Sequence, residues 1–307
     1  MESLNETKKR IKSVKNTRQI TKAMEVVSAT KMRKSQERAL KARGYAFAAF
    51  ELLANLDRFE GKVEKPELFI RPKKGEKTLL VVVTSDKGLA GSLNSNVLKK
   101  ALAWKTKESI NGEIDLVVAG KKASAFFKFR NVAVKKTFFG HGDFGDFNEV
   151  TDMSEFLRLE FLHGEYNRVV AIYTNFRSTL KQEAVAREIL PMKEKGLHEM
   201  IDGLTPERGR FSDTDKTKAK IADYLFEPSP KVVFDELAAR LFQMMVYHII
   251  LEANASEHSA RMVAMKTASE NAAEIVDDLT LLYNKGRQAK ITQELVEITS
   301  ASDAIAS

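Results

Sequence analysis

The residues of this chain that could do chemistry are few, and their spacing does not suit them to it. Five histidines (His141, His163, His198, His248 and His258) are scattered. No two of them have the i, i+4 spacing with a nearby carboxylate that places two metal ligands on one helix face. The absence of cysteine excludes thiolate zinc sites, a nucleophilic thiol and thiol redox switching. The carboxylates Asp277, Asp278, Glu294 and Glu297 fall in a helical stretch that offers no cleft for general acid–base work. The loop Thr84-Ser-Asp-Lys-Gly-Leu-Ala-Gly-Ser-Leu-Asn-Ser-Asn96 follows an apolar run and opens a helical pattern, where α/β proteins bind phosphate on free backbone N–H groups. Its Lys87-Gly88 and Gly91-Ser92 elements never join into the Gly-Lys-Ser/Thr ending of a P-loop, so a tight turn is the first reading and an anion site the second. The Phe-rich segment from Phe138 to Phe147 reads as anchors for a connection across a sheet. No catalytic residue, metal or cofactor is expected.

The elements that would position these residues are legible from breakers and periodicity. Residues 2 to about 59 have no proline and only Gly44, which allows one helix of ~85 Å at 1.5 Å per residue. Its apolar positions (Leu4, Ile11, Val14, Ile20, Met24, Val27, Met32) are helically spaced but do not form strict heptads. Small residues, among them Ala23, Ser28, Ala29, Thr30 and Ser35, suit it to close packing on another helix. From Gly61 to Lys77 the chain reads as a linker. Apolar runs at Thr78–Thr84, Ile114–Ala119 and Arg168–Thr174 then alternate with helical patterns at Asn96–Lys107, Lys121–Phe129 and Ser154–Leu162, the signature of an α/β unit with a mostly parallel sheet. Val185–Leu190 is expected as an edge strand, and residues 191 to 230 as loops with some helix.

From Lys231 onward there is no proline and only Gly286. Alternate steps of four and three visit Leu237, Leu241, Met244, His248, Leu251, Ala255, His258, Met262 and Met265. A second series visits Ala268, Ala272, Ile275, Leu279, Leu282, Gly286 and Ala289, joined to the first by one irregular step. This spacing predicts a coiled-coil helix of ~105 Å with a single stammer. His248 and His258 fall in its seam as register-fixing polar residues. The expected fold is α/β: a long antiparallel coiled coil of N- and C-terminal helices (1–60 and 231–307) plus a central Rossmann-like α/β domain (61–230).

The net charge of +8 is uneven, because residues 1–43 hold 13 Lys or Arg against Glu2, Glu6, Glu25 and Glu37. The remainder of the chain is close to neutral. Such a segment lies against nucleic acid, anionic lipid or acidic protein loops. No aromatic residue precedes Tyr45 to stack on bases, which favours protein. No apolar run approaches the ~20 residues that span a bilayer, and the opening MESLNETKKRIKSVK lacks a signal peptide's apolar core. A soluble or peripheral, cytoplasmic chain is expected.

Several segments closely resemble the γ subunits of F-type ATP synthases. They are Asn16-Thr-Arg-Gln-Ile-Thr-Lys-Ala-Met24, Ser28-Ala-Thr-Lys-Met-Arg-Lys-Ser-Gln36, Thr84-Ser-Asp-Lys-Gly-Leu-Ala-Gly91, Ser256-Glu-His-Ser-Ala-Arg-Met-Val-Ala-Met-Lys266 and Leu282-Tyr-Asn-Lys-Gly-Arg-Gln-Ala-Lys-Ile-Thr-Gln-Glu-Leu-Val-Glu-Ile298. Tyr224-Leu-Phe-Glu-Pro-Ser-Pro230 sits where that family enters its second helix. The resemblance implies a noncatalytic rotor shaft inside a ring of α and β subunits, with the ε subunit and the c-ring as further partners. It implies a place peripheral to the membrane, on the cytoplasmic side of a bacterial cell membrane, where proton flow drives rotation and rotation drives ATP synthesis. Carried over residue by residue, it implies contact or coupling with the α–β ring at Met24, Lys22, Arg33, Arg261, Arg287, Gln288, Thr292 and Glu294. Lys31 and Lys34 add to the charge facing acidic loops. Gly286 stands where the family commonly has alanine, at a cost of about 1 kcal/mol to the helix unless packing needs the space. The alternatives are a basic coiled-coil module binding nucleic acid, and a nucleotide enzyme using the Gly88–Gly91 loop.

Overall fold

The computed structural model describes residues 3–54, 65–72, 75–110, 112–141, 147–193 and 227–306, with side chains described up to residue 41 in the first stretch and 301 in the last. Part of the expected linker, part of the Phe-rich segment, most of residues 191–230 and the start of the Tyr224–Pro230 motif lie outside the described residues. Helix α1 spans Leu4–Ala54 and the last helix, α5, spans Pro230–Ala306. Between them lie β1 (Lys77–Val83), α2 (Leu93–Glu108), β2 (Ile114–Ala119), α3 (Lys121–Phe129), β3 (Lys136–Phe138), α4 (Phe147–Leu162), β4 (Tyr166–Phe176) and β5 (Gln182–Leu190). No helix among the described residues is long and apolar enough to cross a membrane.

The chain forms two compact units, one of Met1–Val27 with Met262–Ser307 and the other of Ser28–Arg261. In the first unit α1 opens on a reciprocal cap. The Glu6 amide donates to Ser3 Oγ (3.2 Å) and the Ser3 amide donates to Glu6 Oε2 (2.9 Å), which satisfies two donors that a helix start otherwise leaves unpaired. The Ser3 amide first, and the Ser3 hydroxyl after it, hold the Glu6 carboxyl below its ordinary range.

This unit contains only two helical segments, so their buried positions face each other. On α5 these are Met265, Ser269, Ala272, Val276 and Leu279, with Tyr283 and Gly286 partly covered. The steps of four and three are unbroken, so the expected stammer is absent. Ile275 (46% exposed) and Leu282 (60%) lie off the seam, and Ser269, Val276 and Tyr283 occupy it. On α1 the covered positions of this unit, Leu4, Thr7, Ile11, Val14, Thr21 and Glu25, also follow heptad steps, skipping only exposed Arg18; within the second unit the covered Ser28, Met32, Ser35 and Ala39 keep the same spacing. A reading confined to apolar residues hid this register, because Thr and Ser fill many of its places. The Thr7 and Thr21 hydroxyls donate to carbonyls of their own helix, at Ser3 and Arg18, and therefore tolerate burial. Leu4 Cδ2 would lie 3.2 Å from a Cβ on Gly286, which sets the start of α1 beside this turn of α5.

The second unit is built on a five-stranded sheet of order β3-β2-β1-β4-β5. Strand β1 pairs in parallel with β2 and β4, and β2 with β3; β5 runs antiparallel to β4 as the expected edge strand. A parallel strand covered on both faces needs apolar residues throughout, and Leu79–Val83 supplies them. Leu79, Val81 and Val83 enter a core completed by α4 and by Phe234, Leu241, Phe242 and Leu251 of α5, with Ala39 of α1. Leu80 and Val82 enter a second core under α2 and α3, with Val97, Leu98 and Phe127. The short strand β3 was not legible in the sequence. Three residues, Lys136-Thr-Phe138, carry too little alternation to register, and pairing with Val117–Ala119 makes them a strand.

Candidate functional site

The C-terminal edge of the parallel strands is where an open α/β sheet takes its ligands. Strand β1 ends at Val83, and the loop that follows turns through Leu89 (φ 63°) and Gly91 (φ 57°) into α2. Strand β2 ends beside it at Gly120, whose φ is 102° and where a Cβ would fall 2.1 Å from the Thr84 carbonyl oxygen. Only glycine allows that approach.

Several groups around the loop that could cradle an anion are engaged within the protein. The Asp86 carboxylate accepts from the Lys121 amide (2.8 Å) and the Gly140 amide (2.9 Å), and Thr84 Oγ1 accepts from the Ala123 amide (2.9 Å). Protein oxygens thus take the free N–H groups at the start of α3, and a fixed carboxylate stands where a phosphate would sit. The Ser85 amide donates to Asn94 Oδ1 (3.0 Å), and Asn94 Nδ2 donates to Ser85 Oγ (2.7 Å). The cavity bounded by Thr84, Asp86, Gly120, His141 and Asn254 measures about 10 Å³, room for about one water molecule. The tight-turn reading holds, and the arrangement does not fit a nucleotide phosphate.

Helix α5 locks the loop from above. Arg261 is 6% exposed and donates to the Gly88 carbonyl from Nε (3.2 Å) and Nη2 (3.1 Å). The same guanidinium is paired with Glu257 and lies 3.2 Å from His258 Nδ1. Burial pushes the Glu257 carboxyl up, against the pull of Arg261. Asn254 donates to the His141 carbonyl, Ser256 to the Thr174 carbonyl and Ser259 to the Thr179 carbonyl. One helical stretch, residues 254–261, thereby binds three loops at the sheet edge. Deeper on α5, His248 Nε2 lies 3.4 Å from Glu252 Oε1. Burial opposes ionisation of Glu252, but His248, Arg187 and the Tyr173 hydroxyl outweigh it and hold its carboxyl below the usual range. Both seam histidines therefore sit in buried polar networks.

The expected contact residues are not assembled into one cluster. In the first unit Lys22 is exposed and paired with Glu25 (2.9 Å), and Met24 is half-buried. Arg33, in the second unit, is exposed, and Arg261 faces the loop just described. Arg287, Gln288, Thr292 and Glu294 are all exposed; Thr292 donates to the Gln288 carbonyl and Lys290 lies 3.7 Å from Glu294. The feature the sequence reading passed over is apolar. From Arg287 to Ala301 every side chain is exposed, including Ile291, Leu295, Val296 and Ile298. Ile291, Leu295 and Ile298 follow i, i+4, i+7 and form one uncovered stripe. Ile20, Val26 and Val27 are likewise uncovered on α1. Their helical spacing was the available signal, and it went unused because the polar residues around them matched known motifs.

Comparison with known proteins gives a consistent result. The profile of a family described as ATP synthase matches residues 3–305. The chain is 41% identical over 309 residues to the ATP synthase gamma chain of Opitutus terrae, covering 100% of both chains. It is 39% identical over 302 residues to that of Methylobacillus flagellatus, covering 98% of each. Among solved structures it is similar to a chain of the Euglena gracilis mitochondrial ATP synthase (OSCP/F1/c-ring, rotational state 3), with a TM-score of 0.62 at 18% identity over 98% of this chain and 94% of that one. A chain of the Tetrahymena thermophila mitochondrial ATP synthase central stalk and c-ring matches with a TM-score of 0.56 at 23% identity, over 81% of this chain and 99% of that one.

Proposed function

This chain belongs to the ATP synthase gamma-chain family, and from that premise we propose how its own residues serve the central stalk of an F-type ATP synthase. The chain is the rotor subunit that links proton flow to the conformational cycle of the catalytic sites. It transmits torque and performs no catalysis itself. Its partners are the α and β subunits around the paired helices, and the ε subunit and c-ring, with the whole peripheral to the membrane on the cytoplasmic side.

The observation that carries this reading is the uncovered helix from Arg287 to Ala301, with its stripe of Ile291, Leu295 and Ile298. A single helix exposing large apolar side chains over four turns is an interaction surface. A stripe without charge also suits a bearing, because apolar contact resists displacement less directionally than ion pairs do. Lys22, Met24, Arg287, Gln288, Thr292 and Glu294 bring charge and asymmetry to the same unit, and they bias the catalytic sites by differing in contact from one orientation to the next. Arg33 adds a further cation toward acidic loops. Arg261 serves coupling through the Gly88 clamp, holding α5 to the sheet so that torque on one reaches the other. The Asp86 carboxylate fixed at the start of α3 supports a noncatalytic role.

The test is reconstitution. The chain, expressed with α and β subunits of the same source, is expected to co-purify with them and to restore ATP-driven proton pumping to membranes stripped of the catalytic sector. Co-purification without any pumping, at normal ATP hydrolysis, would overturn the rotor reading.

A further inference from the structure

Beyond the stalk function, and independently of it, we infer that the outer face formed by α2 and α3 is a docking surface for an anionic lipid membrane. Both helices cover the same face of the sheet, over the core of Leu80, Val82, Val97, Leu98 and Phe127. Their exposed positions are rich in cations: Lys99, Lys100 and Lys107 on α2, and Lys121 and Lys128 on α3, while Lys122, also exposed, reaches toward Gly88 of the loop after β1. The two helices contain a single acid, Glu108, and its carboxylate is occupied by Arg168 Nη2 at 2.6 Å. The near-neutral balance of the chain after residue 43 conceals this face, because its charge is cancelled by acids elsewhere. Lys121 and Lys122 even occupy the first turn of α3, where the helix dipole disfavours cations.

A second observation selects the partner. Ile110 follows the end of α2 and Phe129 ends α3, and they are 84% and 86% exposed. Both helices end at the edge where the parallel strands β2 and β3 begin, so the two side chains leave the fold on one side, with Lys107 and Lys128 beside them. Large apolar side chains in water, flanked by long cationic ones, match a surface that is anionic outside and apolar beneath. The lysines meet headgroups while Ile110 and Phe129 reach the acyl boundary. A nucleic acid would satisfy the charge and leave Ile110 without a partner.

The full chain tests this directly, since Trp104 is its only tryptophan. In a Trp104→Phe, Phe129→Trp variant, vesicles of phosphatidylcholine mixed with phosphatidylglycerol are expected to shift the emission to the blue, and brominated acyl chains to quench it. Vesicles of phosphatidylcholine alone are expected to do neither. Adding Lys99→Gln, Lys100→Gln, Lys107→Gln and Lys128→Gln, all at exposed sites, should weaken the response at least about tenfold. The basic α1 is the competing surface, so Lys8→Gln, Lys9→Gln, Lys12→Gln and Lys15→Gln form the control, and this variant should still show the shift at saturating lipid. A chain that sediments with anionic vesicles while the residue-129 tryptophan stays solvent-like would overturn the inference. So would an equal blue shift with a single-stranded oligonucleotide, which would make the face a general polyanion site.

Discussion

Arg261 shows how one side chain can decide whether a helix and a sheet behave as one body. Its guanidinium satisfies the Gly88 carbonyl twice and neutralises Glu257 in a place with almost no solvent. Arg261→Ala would leave a buried carboxyl without its partner and a carbonyl without its donor, so a loss of about 3–5 kcal/mol is expected by urea denaturation. Arg261→Lys should recover part of that loss, because one ammonium cannot reproduce the double contact. Gly286 gives the opposite expectation. A methyl there would meet only the Cδ2 end of the flexible, half-covered Leu4 side chain. Gly286→Ala should therefore stabilise the chain by about 0.5–1 kcal/mol through helix propensity, visible as a raised Tm. Packing does not demand this glycine.

Tyr166 supplies a pH dependence. Its hydroxyl donates to Asp115 Oδ2 (2.8 Å) and accepts from Lys135 Nζ (2.7 Å), which also reaches Glu160 (2.6 Å). Burial, aided by Asp115 and opposed by Lys135, pushes the phenol up to about 12 from an ordinary 10. The unfolded chain loses this proton first, so the contribution is complete below pH 10 and is lost as pH rises through about 12. Burial also pushes the Tyr173 phenol well above its ordinary value, so ultraviolet titration should find two tyrosines ionising late, Tyr166→Phe should leave one of them, and the same variant should flatten the alkaline limb of the stability curve.

At the scale of elements, what was legible depended on how strongly each pattern was written. Helix α3 matches its expected span residue for residue, and the apolar runs behind β1, β2 and β4 became the centre of the sheet. Helix α4 begins seven residues before its expected start, because Phe147-Asn-Glu-Val-Thr-Asp-Met153 carries only three apolar positions to signal it. The seam of α1 was obscured by its own chemistry. Thr7, Thr21, Ser28 and Ser35 are core residues in a polar disguise, and only burial reveals their heptad spacing. Sequence pattern alone likewise placed Ile275 and Leu282 inside, whereas a continuous register puts Val276 and Tyr283 there. Among candidate site residues, motif matches drew attention to polar positions, and the apolar stripe beside them carried no motif to mark it. Replacing Ile291, Leu295 and Ile298 with serine should cost the isolated chain no more than about 1.5 kcal/mol in all, since each is an exposed surface position with no partner among the described residues. The same variant should lose affinity for the α–β ring in a pull-down titration. A large drop in Tm would instead show that the stripe is covered within the chain.

For the molecule as a working part, stability and coupling should come apart at Met24. It is half-buried on α1, between the paired Lys22 and Glu25 in sequence. Met24→Lys places an ammonium beside whatever acidic surface meets this helix, favouring one orientation over the others. The expected outcome is nearly normal assembly and ATP hydrolysis with markedly less proton pumping per ATP, measured in inverted vesicles. Equal loss of assembly and pumping would place the residue in docking and not in coupling.

The hydroxyls of Thr7 and Thr21 carry a further implication for mechanics. Each is spent on a carbonyl of its own helix, so at those positions no dipole is tied across to the neighbour. At those two positions the helices are held by fit rather than by a bond donated from either hydroxyl, and a twisting load there meets an elastic response.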